Sequence, residues 1–150
     1  MRFAVILLAA LAWSTPSQAD QEDAQAILSE LKCQRPPKAG TVLAKLVRGK
    51  AIDRKPSTIF DSVNVFRLLQ PITVDGLKVV AVFGYEEDSD FPFVRGPGTS
   101  PGNVFGVATT SSLYAVDQWR SRVSRNLDLD EGNAGIPGTK ELTCSKLAER

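Results

Sequence analysis

The strongest constraint on the fold is a pair of β-rich segments within residues 63–86, separated by the dipeptide Asp75-Gly76. Asp-Gly is favoured at the two central positions of a type I′ turn, whose twist matches that of the strands in a two-residue hairpin. The sequence therefore predicts a β-hairpin over residues 63–86. Pairing outward from the turn places four apolar pairs on the predicted core face: Val74 with Leu77, Ile72 with Val79, Leu68 with Phe83, and Phe66 with Tyr85. Because Pro71 has no backbone N–H, this strand is expected to lie at an edge or to carry a bulge there.

Apolar residues at helical spacing predict two helices that pack on the hairpin. In residues 20–33 the apolar positions are Ala24, Ile27, Leu28 and Leu31, and in residues 112–126 and just beyond they are Leu113, Val116, Trp119, Val123 and Leu127. Other segments are assigned by pattern: a short helix over residues 41–48, strands over 104–110 and 140–144, and a loop over 128–138. The predicted fold is α+β, with a small antiparallel sheet (the 63–86 hairpin and the 104–110 strand) packed against the N-terminal helix and the 112–126 helix.

Residues 1–19 have the pattern of a secretory signal peptide. Arg2 precedes an apolar run from Phe3 to Trp13, and Ser17-Gln18-Ala19 places small residues where a signal peptidase cleaves. Cleavage before Asp20 is expected to leave a single globular domain, residues 20–150, in the periplasm or outside the cell. The apolar run of about eleven residues is short of the roughly 20 that cross a bilayer, so no stable membrane insertion is expected after cleavage. An uncleaved signal anchor is the alternative.

Export determines how the two cysteines are interpreted, because oxidising compartments favour disulfides. Cys33 and Cys144 are predicted to form a disulfide that closes a loop of about 110 residues. Two cysteines without any histidine cannot supply the four ligands of a structural zinc site. No metal and no cofactor are therefore predicted.

The sequence contains no histidine, which excludes Ser-His and Cys-His catalytic pairs and His-ligated metals. Residues 98–102 match the GxSxG pattern of a hydrolase nucleophile elbow, but no histidine is present to activate Ser100. Pro101 also lacks the backbone N–H that the residue after the nucleophile donates to the oxyanion hole. No catalytic residue is predicted, and binding is favoured over catalysis.

The loop over residues 91–103 is the most suggestive candidate binding feature. Six of its thirteen residues are Gly or Pro, and it also contains Phe91, Phe93 and Arg95. Aromatic and arginine side chains on a rigid loop make good binding anchors, because little conformational entropy remains to be lost. The alternative interpretation is that the two phenyl rings fold back and cap the core.

Three arginines of the 112–126 helix are further candidate binding residues. Arg120 falls within the apolar stripe, where it either lies along the helix surface or points inward and pairs with a buried carboxylate or an anionic ligand. Arg122 and Arg125 lie on the opposite, solvent-facing side and are predicted to form a basic patch with Arg95. The alternative for this patch is ordinary surface charge.

The near-neutral total, 18 Lys and Arg against 17 Asp and Glu, excludes a general attraction for nucleic acid. Locally the charges separate, with eight basic residues and one acid in residues 32–55 and an acidic run over 86–90. We expect an exported binding protein, of inhibitor or accessory type, that contacts an unknown protein partner of the cell envelope or the exterior through residues 86–103. Two alternatives stay open: a binder of an anionic small molecule or polysaccharide held by Arg95 or Arg120, and a carboxylate-based hydrolase with a pair such as Asp88 and Asp128.

Overall fold

The fold is given by a computed structural model that describes residues 15–132 and 134–145. Within these ranges the helices are α1 (Gln18–Leu31), α2 (Ala39–Arg48) and α3 (Leu113–Val123), and the strands are β1 (Thr58–Phe60), β2 (Val63–Val74), β3 (Leu77–Tyr85), β4 (Val104–Thr109), β5 (Asp128–Glu131) and β6 (Lys140–Cys144). All six strands form one antiparallel sheet in the order β1-β2-β3-β4-β6-β5. The predicted α+β class and its principal elements are confirmed.

The three helices pack on one face of the sheet, where they bury the main core. Each helix contributes apolar side chains to this core: Ile27 and Leu31 from α1, Leu43 and Leu46 from α2, and Val116 and Trp119 from α3. The sheet contributes Phe66, Val79, Val82, Phe105, Val107 and Leu142. Burial of this many large apolar side chains is the main source of stability for a domain of this size.

Helix α1 begins at the predicted end of the signal peptide. Its N-cap is Ser17, whose hydroxyl accepts a hydrogen bond from the Asp20 amide, while the Asp20 carboxylate accepts one from the Ser17 amide. This reciprocal pair is a capping box. The predicted cleavage point before Asp20 therefore lies inside the helix, and residues 1–14, which carry most of the predicted signal, lie outside the described residues. Among the described helices, none is long and apolar enough to cross a membrane.

The predicted disulfide between Cys33 and Cys144 is confirmed. It joins the segment after α1 to the end of β6, with a Cα–Cα distance of 5.6 Å and a sequence separation of 111 between the two cysteines. Both cysteines are buried in the main core. The bridge therefore ties the beginning of the domain to its last strand, directly beneath the helices.

The hairpin register is as predicted next to the turn and wrong farther from it. Ile72 pairs with Val79, but Arg67 pairs with Ala81, so β2 uses five residue steps where β3 uses two. The extra residues form a bulge that includes Pro71, and the expectation of a bulge at this proline is confirmed.

The bulge changes which residues of β3 face the helices. The pairs predicted between Leu68 and Phe83 and between Phe66 and Tyr85 are wrong, because Phe66 pairs with Val82 instead. Val82 therefore lies in the main core, and Phe83 lies on the opposite face. The register of β3 against β4 also shifts, between Val79 and Ala81.

The second face of the sheet holds a smaller cluster built largely from alanines and Phe83. The Phe83 ring covers Gly106 of β4, where any Cβ would overlap the ring. Part of the segment predicted as a loop over residues 128–138 forms β5, and the edge strand β1 was not predicted. Both strands have no more than four residues, which is too short for a recognisable alternation of polar and apolar residues.

Candidate functional site

The two phenylalanines of the 91–103 loop pack against the main core. The Phe91 ring meets buried Phe66 edge-on, with ring centroids 5.9 Å apart. Phe93 contacts Tyr85 at 5.4 Å and Phe91 at 4.9 Å. Both rings are half-buried, so they hold the loop on the sheet as the core-capping interpretation describes. Their predicted role as binding anchors stays a prediction.

The backbone that follows the two rings is fixed by side chains of buried polar residues. The Asn64 side chain accepts a hydrogen bond from the Val94 amide (2.9 Å) and donates one to the Val94 carbonyl (2.8 Å). The Ser62 hydroxyl accepts a hydrogen bond from the Gly96 amide at 2.9 Å. Asn64 and Ser62 are themselves buried. Residues 94–96 are therefore held in a defined position beside the turn between β1 and β2.

The side chains that this backbone presents are exposed. Val94 is 46% exposed, and Arg95 is also exposed. Strand β1 lies at the edge of the sheet, with Ile59 43% exposed and Phe60 55% exposed. Ile59 pairs with Asn64, the residue that binds Val94, so the strand and the loop share a neighbour. We call these four residues, Ile59, Phe60, Val94 and Arg95, the β1–loop surface.

Glu86, the first residue of the acidic run over residues 86–90, has a structural role. The Glu86 carboxylate accepts a hydrogen bond from the Gly40 amide at 2.8 Å, in the first turn of α2. This bond satisfies an amide that has no partner within its own helix and places negative charge at the helix N-terminus. Gly40 permits the approach, because a Cβ there would overlap Ser89 Oγ.

Arg122 on α3 and Arg125, which lies beyond the end of this helix at Val123, are far from the 91–103 loop. Arg122 pairs with Asp75 at the hairpin turn, whereas Arg95 lies near Ser62 and Asn64, at the other end of β2. Strand β2 has twelve residues, which at roughly 3.3 Å per residue corresponds to a length of about 40 Å before the bulge is allowed for. The structure therefore does not bring Arg95 together with Arg122 and the exposed Arg125.

Arg120 is engaged within α3 and the segment that follows it. It donates a hydrogen bond to the Leu127 carbonyl at 3.2 Å and pairs with Asp117 at 3.1 Å. Helix α3 ends at Val123, so this contact ties its last turn to the chain leading into β5. A role for Arg120 in ligand binding stays a prediction.

The carboxylates considered for hydrolysis belong to different elements. Asp88 lies in the acidic run beside α2, and Asp128 is the first residue of β5 at the far edge of the sheet. Asp128 accepts a hydrogen bond from the Ser145 hydroxyl at 3.5 Å. Within the described ranges, no group of three or more His, Cys, Asp or Glu residues is placed to hold a metal ion.

Two members of the β1–loop surface, Ile59 and Phe60, were missed by sequence reasoning, whereas Val94 and Arg95 lie within the predicted 86–103 contact region. The available signal was the apolar pair Ile59-Phe60 directly before the polar pair Asp61-Ser62, which is typical of a short strand entering a turn. No protein-family model, no curated protein and no solved structure matches the chain.

Proposed function

We propose that this chain is an exported binding protein, of inhibitor or accessory type, that acts by contact with another protein. The β1–loop surface is the contact region. The observation that carries this proposal is the combination of a fixed backbone and exposed apolar side chains. Asn64 and Ser62 hold residues 94–96 while Val94 stays open to solvent, and Ile59 and Phe60 are exposed on the edge strand that pairs with Asn64 and Val63.

The physical argument concerns the free energy of association. A loop whose conformation is already fixed loses little conformational entropy when a partner binds, so more of the contact energy contributes to affinity. Clustered exposed apolar side chains are a mark of interaction sites. An edge strand also presents backbone N–H and C=O groups to which an extended segment of a partner can hydrogen-bond. A partner that adds a short apolar strand along β1 would use the fixed loop, the exposed apolar side chains and the free edge of the sheet together.

Export rests on two supports of different kinds. The sequence pattern of residues 1–19 is that of a signal peptide. The Cys33–Cys144 disulfide is the bond expected in a periplasmic or extracellular compartment. Both supports favour a partner in the cell envelope or outside the cell.

The test is affinity capture from an envelope extract with tagged protein and single charge substitutions. Val94→Asp and Phe60→Asp place a carboxylate in the apolar contact, so both variants are expected to lose a partner that the unchanged protein retains. Tyr114→Asp is the matched control, because Tyr114 is 76% exposed on α3, away from the surface. Thermal unfolding of each variant checks that the fold is intact.

Two results would count against the proposed function. One is a folded Val94→Asp or Phe60→Asp variant that retains the same partners as the unchanged protein. The other is the absence of any specifically retained protein, since a protein-binding function requires one.

A further inference from the structure

The segment between α2 and β1 is attached to β2 at two points and bows away from it between them. At one end Ile52 bridges Leu68, and the Leu69 amide donates to the Ala51 carbonyl at 2.9 Å. At the other end the Ser57 amide donates to the Val65 carbonyl at 2.7 Å. We call residues 53–56 the arch.

Chain length explains why the arch exists. From Ile52 to Ser57 the chain takes five residue steps, whereas β2 takes three between the partners Leu68 and Val65. Because neighbouring extended strands advance by nearly the same distance per residue, the two surplus residues cannot lie flat against β2. The segment therefore bows outward and leaves a cleft between itself and the strand.

The cleft has a volume of about 670 Å³. This volume lies in the range of small-molecule sites. It combines positive charge with apolar walls, and the residues that matter here are Asp53, Arg54, Lys55, Phe66, Arg67 and Leu69. Phe66 is buried in the main core, while Leu69 is 55% exposed and forms an open wall. Three cationic side chains and one carboxylate line the cleft, so it carries an excess of positive charge.

Among the residues that the structure describes, no carboxylate neutralises these three cations. In the ranges that the structure describes, Arg54, Lys55 and Arg67 take part in no salt bridge, whereas Arg35, Lys45, Arg120, Arg122 and Lys140 each pair with a carboxylate. Like charges gathered in one cleft repel one another, and a bound anion relieves that repulsion. Guanidinium groups also bind phosphate and carboxylate groups bidentately.

We propose that the arch cleft binds a compact ligand that carries at least two phosphate or carboxylate groups on a partly apolar body. The neighbouring groove limits the length of this ligand. That groove shares Arg54 with the cleft, but it is also lined by Glu86, Asp88 and Asp90, which repel negative charge. A long polyanion running past Arg54 meets these carboxylates, whereas a compact anion does not.

Isothermal titration of the purified protein tests the site with pyrophosphate and with citrate as separate probes. Phosphate recognition predicts that pyrophosphate binds better, and carboxylate recognition predicts citrate. Arg54→Gln and Arg67→Gln each remove one charged hydrogen-bonding partner and are expected to raise the Kd of the preferred probe roughly tenfold. Lys78→Gln is the matched control, because Lys78 is an exposed lysine of β3 outside the cleft, and its expected change is less than about twofold.

Three outcomes overturn the proposal. The first is the absence of saturable binding of either probe. The second is an equal loss of affinity in Lys78→Gln, which would show that only net charge matters. The third is preferential binding of dextran sulfate of high molecular weight in place of both probes, which would identify a polyanion site. The Val94→Asp variant separates this proposal from the protein-contact function, because it is expected to leave anion binding unchanged.

Discussion

The 91–103 loop and the arch are both irregular segments beside β2, but they are held in different ways. The loop is fixed over residues 91–96, by the packing of Phe91 and Phe93 and by the side chains of Asn64 and Ser62. Within the described part of the chain, the arch is attached at its two ends, mainly through backbone hydrogen bonds.

This difference suits the two segments to different ligands. A fixed loop with exposed Val94 can match the shape of one protein surface, and shape complementarity is what apolar contacts require. The arch carries Arg54 and Lys55 on long, flexible side chains that can adjust to the position of an anion. Electrostatic attraction acts over a distance and tolerates this adjustment, although it weakens as salt increases. Substitutions in the two segments should therefore differ in effect, with the largest loss of stability expected in the loop.

Phe91→Ala should have the largest effect, because it removes the ring that joins the loop to the main core. A fully buried Phe→Ala substitution costs about 3–5 kcal/mol, and for the half-buried Phe91 we expect a loss of about 2–3 kcal/mol in the free energy of unfolding. Urea unfolding measures this loss. Tyr114→Ala is the exposed aromatic control, with an expected loss below about 0.5 kcal/mol. Equal losses in the two variants would show that Phe91 does not hold the loop.

Asn64→Ala removes the hydrogen bonds that fix the Val94 backbone, and should cost about 1–2 kcal/mol. Its local effect is more informative than its effect on stability. Amide hydrogen exchange of Val94 and Gly96 should accelerate more than that of amides in the centre of β3, because the loop is released while the sheet remains. Affinity for a captured partner should fall as well, since the loop then loses entropy on binding. Unchanged exchange at Val94 would contradict the assigned role of Asn64.

Ser57→Ala removes a side-chain hydrogen bond at one end of the arch, and it should reduce the free energy of unfolding less than Asn64→Ala does. The Ser57 hydroxyl donates to the Val65 carbonyl at 3.0 Å, but the Ser57 amide donates to the same carbonyl and remains in the variant. We expect a loss of about 0.5 kcal/mol in the free energy of unfolding and little change in pyrophosphate or citrate affinity. A loss as large as that in Asn64→Ala would show that side chains hold both segments, and the contrast between them would fail.

The contrast also explains how much of each region was predictable. The loop was recognised because its glycines, prolines and phenylalanines leave a compositional signal in the sequence. Its anchor was not recognised, because Asn64 lies within a β-rich segment. By alternation Asn64 shares the core face with Phe66, and an amide in that position requires partners that only the folded loop supplies.

The arch left a weaker signal. The excess of basic residues over 32–55 was visible, but the cleft depends on Ile52 lying opposite Leu68 and Ser57 opposite Val65. Single-sequence patterns do not determine such pairings between separate segments, nor how many residues a bulge contains. The predicted register of β2 against β3 is therefore correct beside Asp75-Gly76, where the turn residues determine it. It is wrong beyond Pro71, where the bulge determines it.

Neither the β1–loop surface nor the arch includes a residue of α1, so a change in the packing of α1 against α2 should affect neither ligand. Asp23 of α1 is buried beside Gly49, the C-cap of α2. Burial raises the pKa of Asp23 above its ordinary value of 3.8, and Asp20 and Glu22 raise it further, although Lys45 opposes them. The folded protein therefore holds a proton that the unfolded chain releases over the pH range just above 3.8.

The sign of this effect predicts a stability profile that Asp23→Asn should change. As pH rises through that range, the free energy of unfolding should fall, and the loss should persist at neutral pH. Asp23→Asn carries no charge, so it should remove this fall and exceed the unchanged protein in stability at pH 7. Urea unfolding across the acidic range measures both profiles, with exposed Asp130→Asn as the control. An Asp23→Asn profile parallel to that of the unchanged protein would remove Asp23 as the source, and altered anion affinity in this variant would show that α1–α2 packing reaches the arch.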